Sequence, residues 1–109
     1  MDLFDLVYTT EDALEVGKQL EIPIKEVWQV INGRKAKKAI ERVIKPITLV
    51  NNSARTSLNL ALKNPTPDEV YKELRFYQNV APAGTHPLTD EEVIACYISM
   101  FNGDDIWDF

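Results

Sequence analysis

The sequence predicts a mainly α protein, a compact bundle of five to six short helices with at most one short extended segment. Three observations point there. Polar cap residues followed by acids recur along the chain, apolar residues between them repeat at three-to-four spacing, and proline or Asn-Gly breaks separate the segments. With 109 residues, 45% hydrophobic and 27% charged, the chain has room for one domain and enough apolar matter to fold alone.

Each element has its own signal. Thr9 or Thr10 ahead of Glu11 and Asp12 opens the first helix, because a side-chain oxygen satisfies free amides and acids suit the positive end of the dipole. It runs through Ala13, Leu14, Val16, Gly17 and Leu20 and stops near Glu21-Ile22-Pro23. Pro23 suits the first position of a second helix, which carries Ile24, Val27, Trp28 and Ile31 and is expected to close at Asn32-Gly33. A third helix, 34–45, bears the stripe Ala36, Ala39, Ile40, Val43 and Ile44, with Pro46 as its expected end. Residues 47–50 are β-branched and short, so a strand or an extended link is expected there. A fourth helix from Ser53 presents Ala54, Leu58, Ala61 and Leu62 and breaks at Asn64-Pro65. Thr66-Pro67-Asp68-Glu69 combines a cap, a first-turn proline and a capping-box Glu, opening a helix with Val70, Leu74 and Tyr77. After a Pro/Gly loop over 81–87, Thr89 and Glu92 repeat the capping box. The last helix offers Val93, Ile94, Tyr97, Ile98 and Phe101 to a core and stops at Asn102-Gly103. The division expected is a helical domain over 1–103 and an acidic tail over 104–109.

Charge is unevenly spread. The net charge is −5, yet Arg34, Lys35, Lys37, Lys38, Arg42 and Lys45 oppose only Glu41 within 34–45, a local excess of five positive charges. The remainder therefore carries −10. Such a segment is either a solvated helix face or a local phosphate-binding patch. No apolar run approaches the roughly 20 residues of a membrane span. The start Met1-Asp2-Leu3-Phe4-Asp5 is acidic where an export signal is basic, and a lone Cys96 excludes an internal disulfide. A cytoplasmic protein without membrane association is expected.

Residues 13–34 carry a more specific pattern: a small Gly17, then Leu20 and Ile22 around a turn, Val27 and Val30 on the following helix, and Asn32-Gly33-Arg34 at its close. This resembles the helix-turn-helix of repressor-like DNA-binding domains. The resemblance covers about a fifth of the chain, and Glu21 stands where such turns use glycine. It implies double-stranded DNA as partner, with Lys25 and Gln29 at base edges and Arg34, Lys35, Lys37, Lys38 and Arg42 on phosphates. It also implies a homodimer, with the aromatic-rich C-terminal helices as its interface, and a transcriptional regulator of phage or mobile-element type.

A second reading is a non-catalytic inhibitor or adaptor that engages a basic protein surface, for example on a host nucleic-acid enzyme. Its binding segment would be Asp104, Asp105, Ile106, Trp107, Asp108 and Phe109, which is similar to the acidic, Phe-ending tail of bacterial single-stranded-DNA-binding proteins. The competing expectation is that Ile106, Trp107 and Phe109 fold back to finish the core. Catalysis is not expected. His86 and Cys96 are single, no nucleophile–base pair or glycine-rich phosphate loop is present, and no cofactor or metal set is implied. Cys96 reads as a buried apolar residue and the tail acids as hydrated.

Overall fold

The computed structural model describes residues 3–109; Met1 and Asp2, part of the acidic start, lie outside them. A 3-10 turn, Leu3–Leu6, precedes α1 (Thr10–Leu20). Thr9 caps α1: its Oγ1 accepts from the Asp12 amide, while Asp12 Oδ2 accepts from the amides of Tyr8 and Thr9 at 2.9 and 3.0 Å. These two backbone donors hold the Asp12 carboxyl below its ordinary value.

The second and third helices expected from the sequence are one rod. α2 (Ile24–Ala39) passes through Asn32-Gly33 without a break, widens into a π-helical segment (Ile40–Ile44) and continues as α3 (Lys45–Val50). Gly33 is helical, and each half of the rod keeps its own apolar residues at turn spacing. Pro46 does not end the helix. The Lys45 amide donates to the Ile40 carbonyl, five residues back, and this wider turn makes the room that a proline ring needs inside a helix. The extended segment expected at 47–50 is therefore the last turn of the rod, with Ile47 and Thr48 buried. At 1.5 Å per residue the rod is about 40 Å long, nearly the molecule's 45 Å long axis.

Asn51 ends the rod and caps α4 (Asn52–Lys63) through its side chain. α5 (Pro67–Asn79) begins at Thr66-Pro67 as expected, though the Thr66 hydroxyl makes no cap bond. α6 (Asp90–Asn102) has the full Thr89–Glu92 capping box, and Gly103 closes it in the left-handed region at φ 67°. A second 3-10 turn, Asp105–Trp107, follows. Among the described residues there is no strand, and the protein is a mainly α bundle.

Two cores hold it. The larger joins the second half of the rod to α4, α5, α6 and Trp107, and contains every stripe residue expected of 34–45 together with Leu58, Val70, Leu74, Tyr77 and Cys96. The smaller joins α1 to the first half of α2 through Ala13, Val16, Val27 and Ile31, with Leu3, Phe4, Val7, Ile22, Ile24 and Trp28 around it. The buried side of α2 changes accordingly: Ile31 and Ala36, five residues apart, point about 140° from each other.

α6 departs from its expected inner face. Val93 is buried, but Ile94 is 58% and Phe101 40% exposed, while Ala95, Cys96, Ser99 and Met100 face inward. α6 packs against α2 more extensively than any other pair of elements, and Ala36 and Ala39 share the larger core with Ala95 and Cys96. Small side chains on both helices permit that close approach and turn the bulkier stripe outward. The expected tail also departs from a separable segment. Trp107 is 7% exposed, and its Nε1 donates to the buried Ser99 Oγ at 2.9 Å. Trp107 and Ile106 thus join the larger core, while Phe109, expected with them, stays 42% exposed and Asp105 and Asp108 face solvent.

Candidate nucleic-acid interface

The α1–turn–α2 unit is built from three local features. α1 ends with Glu21 at φ 56°, ψ 42°, a left-handed conformation that costs an L-residue with a Cβ roughly 1–2 kcal/mol. The Glu21 amide donates to Lys18 and the Ile22 amide to the Gly17 carbonyl at 2.9 Å, the paired bonds of a Schellman turn. Gly17 lies beneath that turn. A Cβ there would stand 2.9 Å from the Ile22 carbonyl oxygen and 3.7 Å from Val27 Cγ2, so only glycine lets α1 and α2 cross this closely.

Lys25 and Gln29 are exposed on the first turns of α2, with Glu26 and Val30 beside them. Ile24 and Trp28 are half-buried, packed against the smaller core. Lys18, not singled out from the sequence, lines a shallow groove with Ile22 and Ile24; its position in the last turn of α1 was the available signal.

The basic residues of 34–45 do not gather beside Lys25 and Gln29. Around α2, Lys37 lies about 80° from Gln29, Lys35 about 120° and Lys38 about 180°. Several are also engaged. Arg34 is 3.5 Å from Asp5 and stacks its guanidinium over the Phe4 ring at 5.0 Å. Lys35 pairs with Glu91 at 3.7 Å. Arg42 grips Glu92 with both terminal nitrogens, at 2.7 and 2.5 Å, and donates to the carbonyls of His86 and Pro87. That fork docks the start of α6 on the rod and raises the guanidinium's pKa. Lys37 and Lys38 remain exposed. Lys37 and Lys45 face Asp105 and Asp108 across a cleft of about 360 Å³.

Cys96 is fully buried, and burial, with Glu92 nearby, pushes its thiol up to about 12. His86 is exposed in the 81–87 loop. Among the described residues no group of three His, Cys, Asp or Glu side chains is arranged to hold a metal, and no helix is long and apolar enough to cross a membrane. The chain matches no family model, no curated protein and no solved structure.

Proposed function

We propose that this protein is a small DNA-binding regulator that presents the start of α2 to duplex DNA. The observation that carries the reading is the left-handed turn at Glu21 closed over Gly17. It crosses two helices tightly and leaves Lys25 and Gln29 free on the exposed first turns of the second. A helix held this way enters a major groove by its N-terminal end, where Gln pairs with adenine and Lys with guanine. Lys18 and Lys25 are the cations nearest that surface, while Lys37 and Lys38 add field from another side of the rod. The reading includes a homodimer through the exposed apolar side of α6, Ile94 and Phe101, since two copies offer two reading helices to two half-sites.

The test is selection from a random duplex library at about 50 mM salt, followed by gel shifts across salt concentrations. An enriched sequence is expected. Gln29→Ala is expected to cost about 1–3 kcal/mol on that sequence and little on random duplex. Lys25→Ala is expected to cost about 1–3 kcal/mol on that sequence and to relax its preference for guanine, and the Lys37→Glu, Lys38→Glu pair is expected to weaken binding alike on all duplexes and to lower the salt slope. Absence of duplex binding by the native chain at low salt would overturn the reading.

A further inference from the structure

The cleft between the rod and the C-terminal segment sets two rows of charge against each other. On the rod, Lys37 and Lys45 lie two turns apart with Glu41 between them, and Asp105 and Asp108 face them across about 360 Å³. Three carboxylates thus stand against two ammoniums, in the one stretch of chain whose own sequence is strongly basic.

The fold holds the two aspartates there. Ile106 and Trp107 between them pack on the larger core, and the Trp107 indole is tied to Ser99. The Asp108 amide donates to the Asp105 carbonyl at 3.0 Å. In a 3-10 turn, residues three apart stand above one another, so both carboxylates reach the same opening.

No ion pair within 4.0 Å joins either lysine to a carboxylate among the described residues. The ammoniums keep their water and their charge. What changes is the potential that an approaching anion meets. A cleft of this volume is narrower than the screening length, ~10 Å at 0.1 M salt, so a phosphate nearing Lys37 or Lys45 is also repelled by the carboxylates opposite.

We propose that Asp105 and Asp108 are specificity-determining residues: a fixed counter-charge that keeps phosphate backbones off the Lys37–Lys45 side of the rod and restricts duplex DNA to the start of α2. Sequence-independent binding is weakened, while the reading positions Lys25 and Gln29 are untouched. The consequence for specificity rests on the DNA-binding reading, but the counter-charge has its own measurement.

That measurement compares the full native chain with its Asp105→Asn, Asp108→Asn variant on a short duplex of random sequence, by gel shift from about 50 mM salt upward. The variant is expected to bind about tenfold more tightly, with a salt slope steeper by about 1–2, since each lysine released to a phosphate adds about 0.9. Asp68→Asn with Glu69→Gln makes the same change in net charge on exposed positions outside the cleft and is expected to give a much smaller gain. In a Lys37→Gln, Lys45→Gln background the gain is expected to fall to that control level. Circular dichroism checks the fold of each variant. Equal binding by native chain and aspartate variant, a gain matched by the control pair, or a gain that survives loss of both lysines overturns the counter-charge. Binding by the variant alone removes the regulator reading and keeps the counter-charge, and binding by neither removes both.

Discussion

At the scale of single residues, two positions carry unusual energetic weight. Glu21 holds a left-handed backbone that glycine adopts without steric cost. Glu21→Gly is expected to stabilise the fold by about 1 kcal/mol, the relief of the left-handed penalty less the extra freedom of the unfolded chain, measured as a rise in the urea midpoint. Arg42 and Glu92 are the second case. Burial alone would raise the Glu92 carboxyl, but the Arg42 fork and the Thr89 amide outweigh it and leave it below its ordinary 4.5. A carboxyl depressed by folding adds stability that is complete above the unfolded value and is lost as pH falls through the folded one. Arg42→Ala is therefore expected to cost about 2 kcal/mol at neutral pH, less than a fully buried pair because both groups retain some solvent. The difference from native should shrink below about pH 4.5, and urea titrations across pH check it. Glu73 has the opposite sign: its raised carboxyl favours folding at low pH and opposes it as pH rises.

At the scale of elements, the capped helix starts and the ends at Glu21, Asn64 and Gly103 were legible, whereas the breaks expected at Gly33 and Pro46 were not found. Thr9, Asn51 and Thr89 act within a few residues, so their side chains find their amides whatever the rest of the chain does. Gly33 and Pro46 are stop signals only where solvent or a cap can take over the freed backbone groups. Here the buried stripes on both sides of Gly33, and a π turn ahead of Pro46, keep the rod continuous. The segment 104–109 belongs to the same lesson. Its acids suggest a free tail, but Trp107 decides its place by burying its ring and donating to Ser99. Trp107→Ala is expected to destabilise the fold by about 3–5 kcal/mol, read by thermal melting, because it opens a cavity and leaves the Ser99 hydroxyl without its partner. A melt within about 1 kcal/mol of native would show the segment to be dispensable.

At the scale of the whole molecule, the rod connects two cores of unequal size and turns a different side to each. This rotation explains why the basic segment and the reading positions, consecutive in sequence, do not share a face. The side of α2 that is exposed at Lys25 and Gln29 is the side that becomes buried at Ala36 and Ile40, so the lysines of the second half emerge elsewhere. The candidate interface was thus legible in its local parts, Gly17, Glu21, Lys25 and Gln29, and not in the placement of its expected phosphate contacts. The groove between α4 and α5 had no sequence signal at all, since Ser57 and Glu73 belong to helices whose adjacency no local pattern encodes.

The sequence by itself determined the helical class, the starts of the helices, and the stripes that fill the larger core, because periodicity and capping are interactions over three or four residues. Tertiary structure alone decided that two expected helices are one rod, that α6 turns its small residues inward, and that Arg42 serves Glu92. Each of those outcomes depends on partners tens of residues away, whose approach is set by packing rather than by neighbours in the chain.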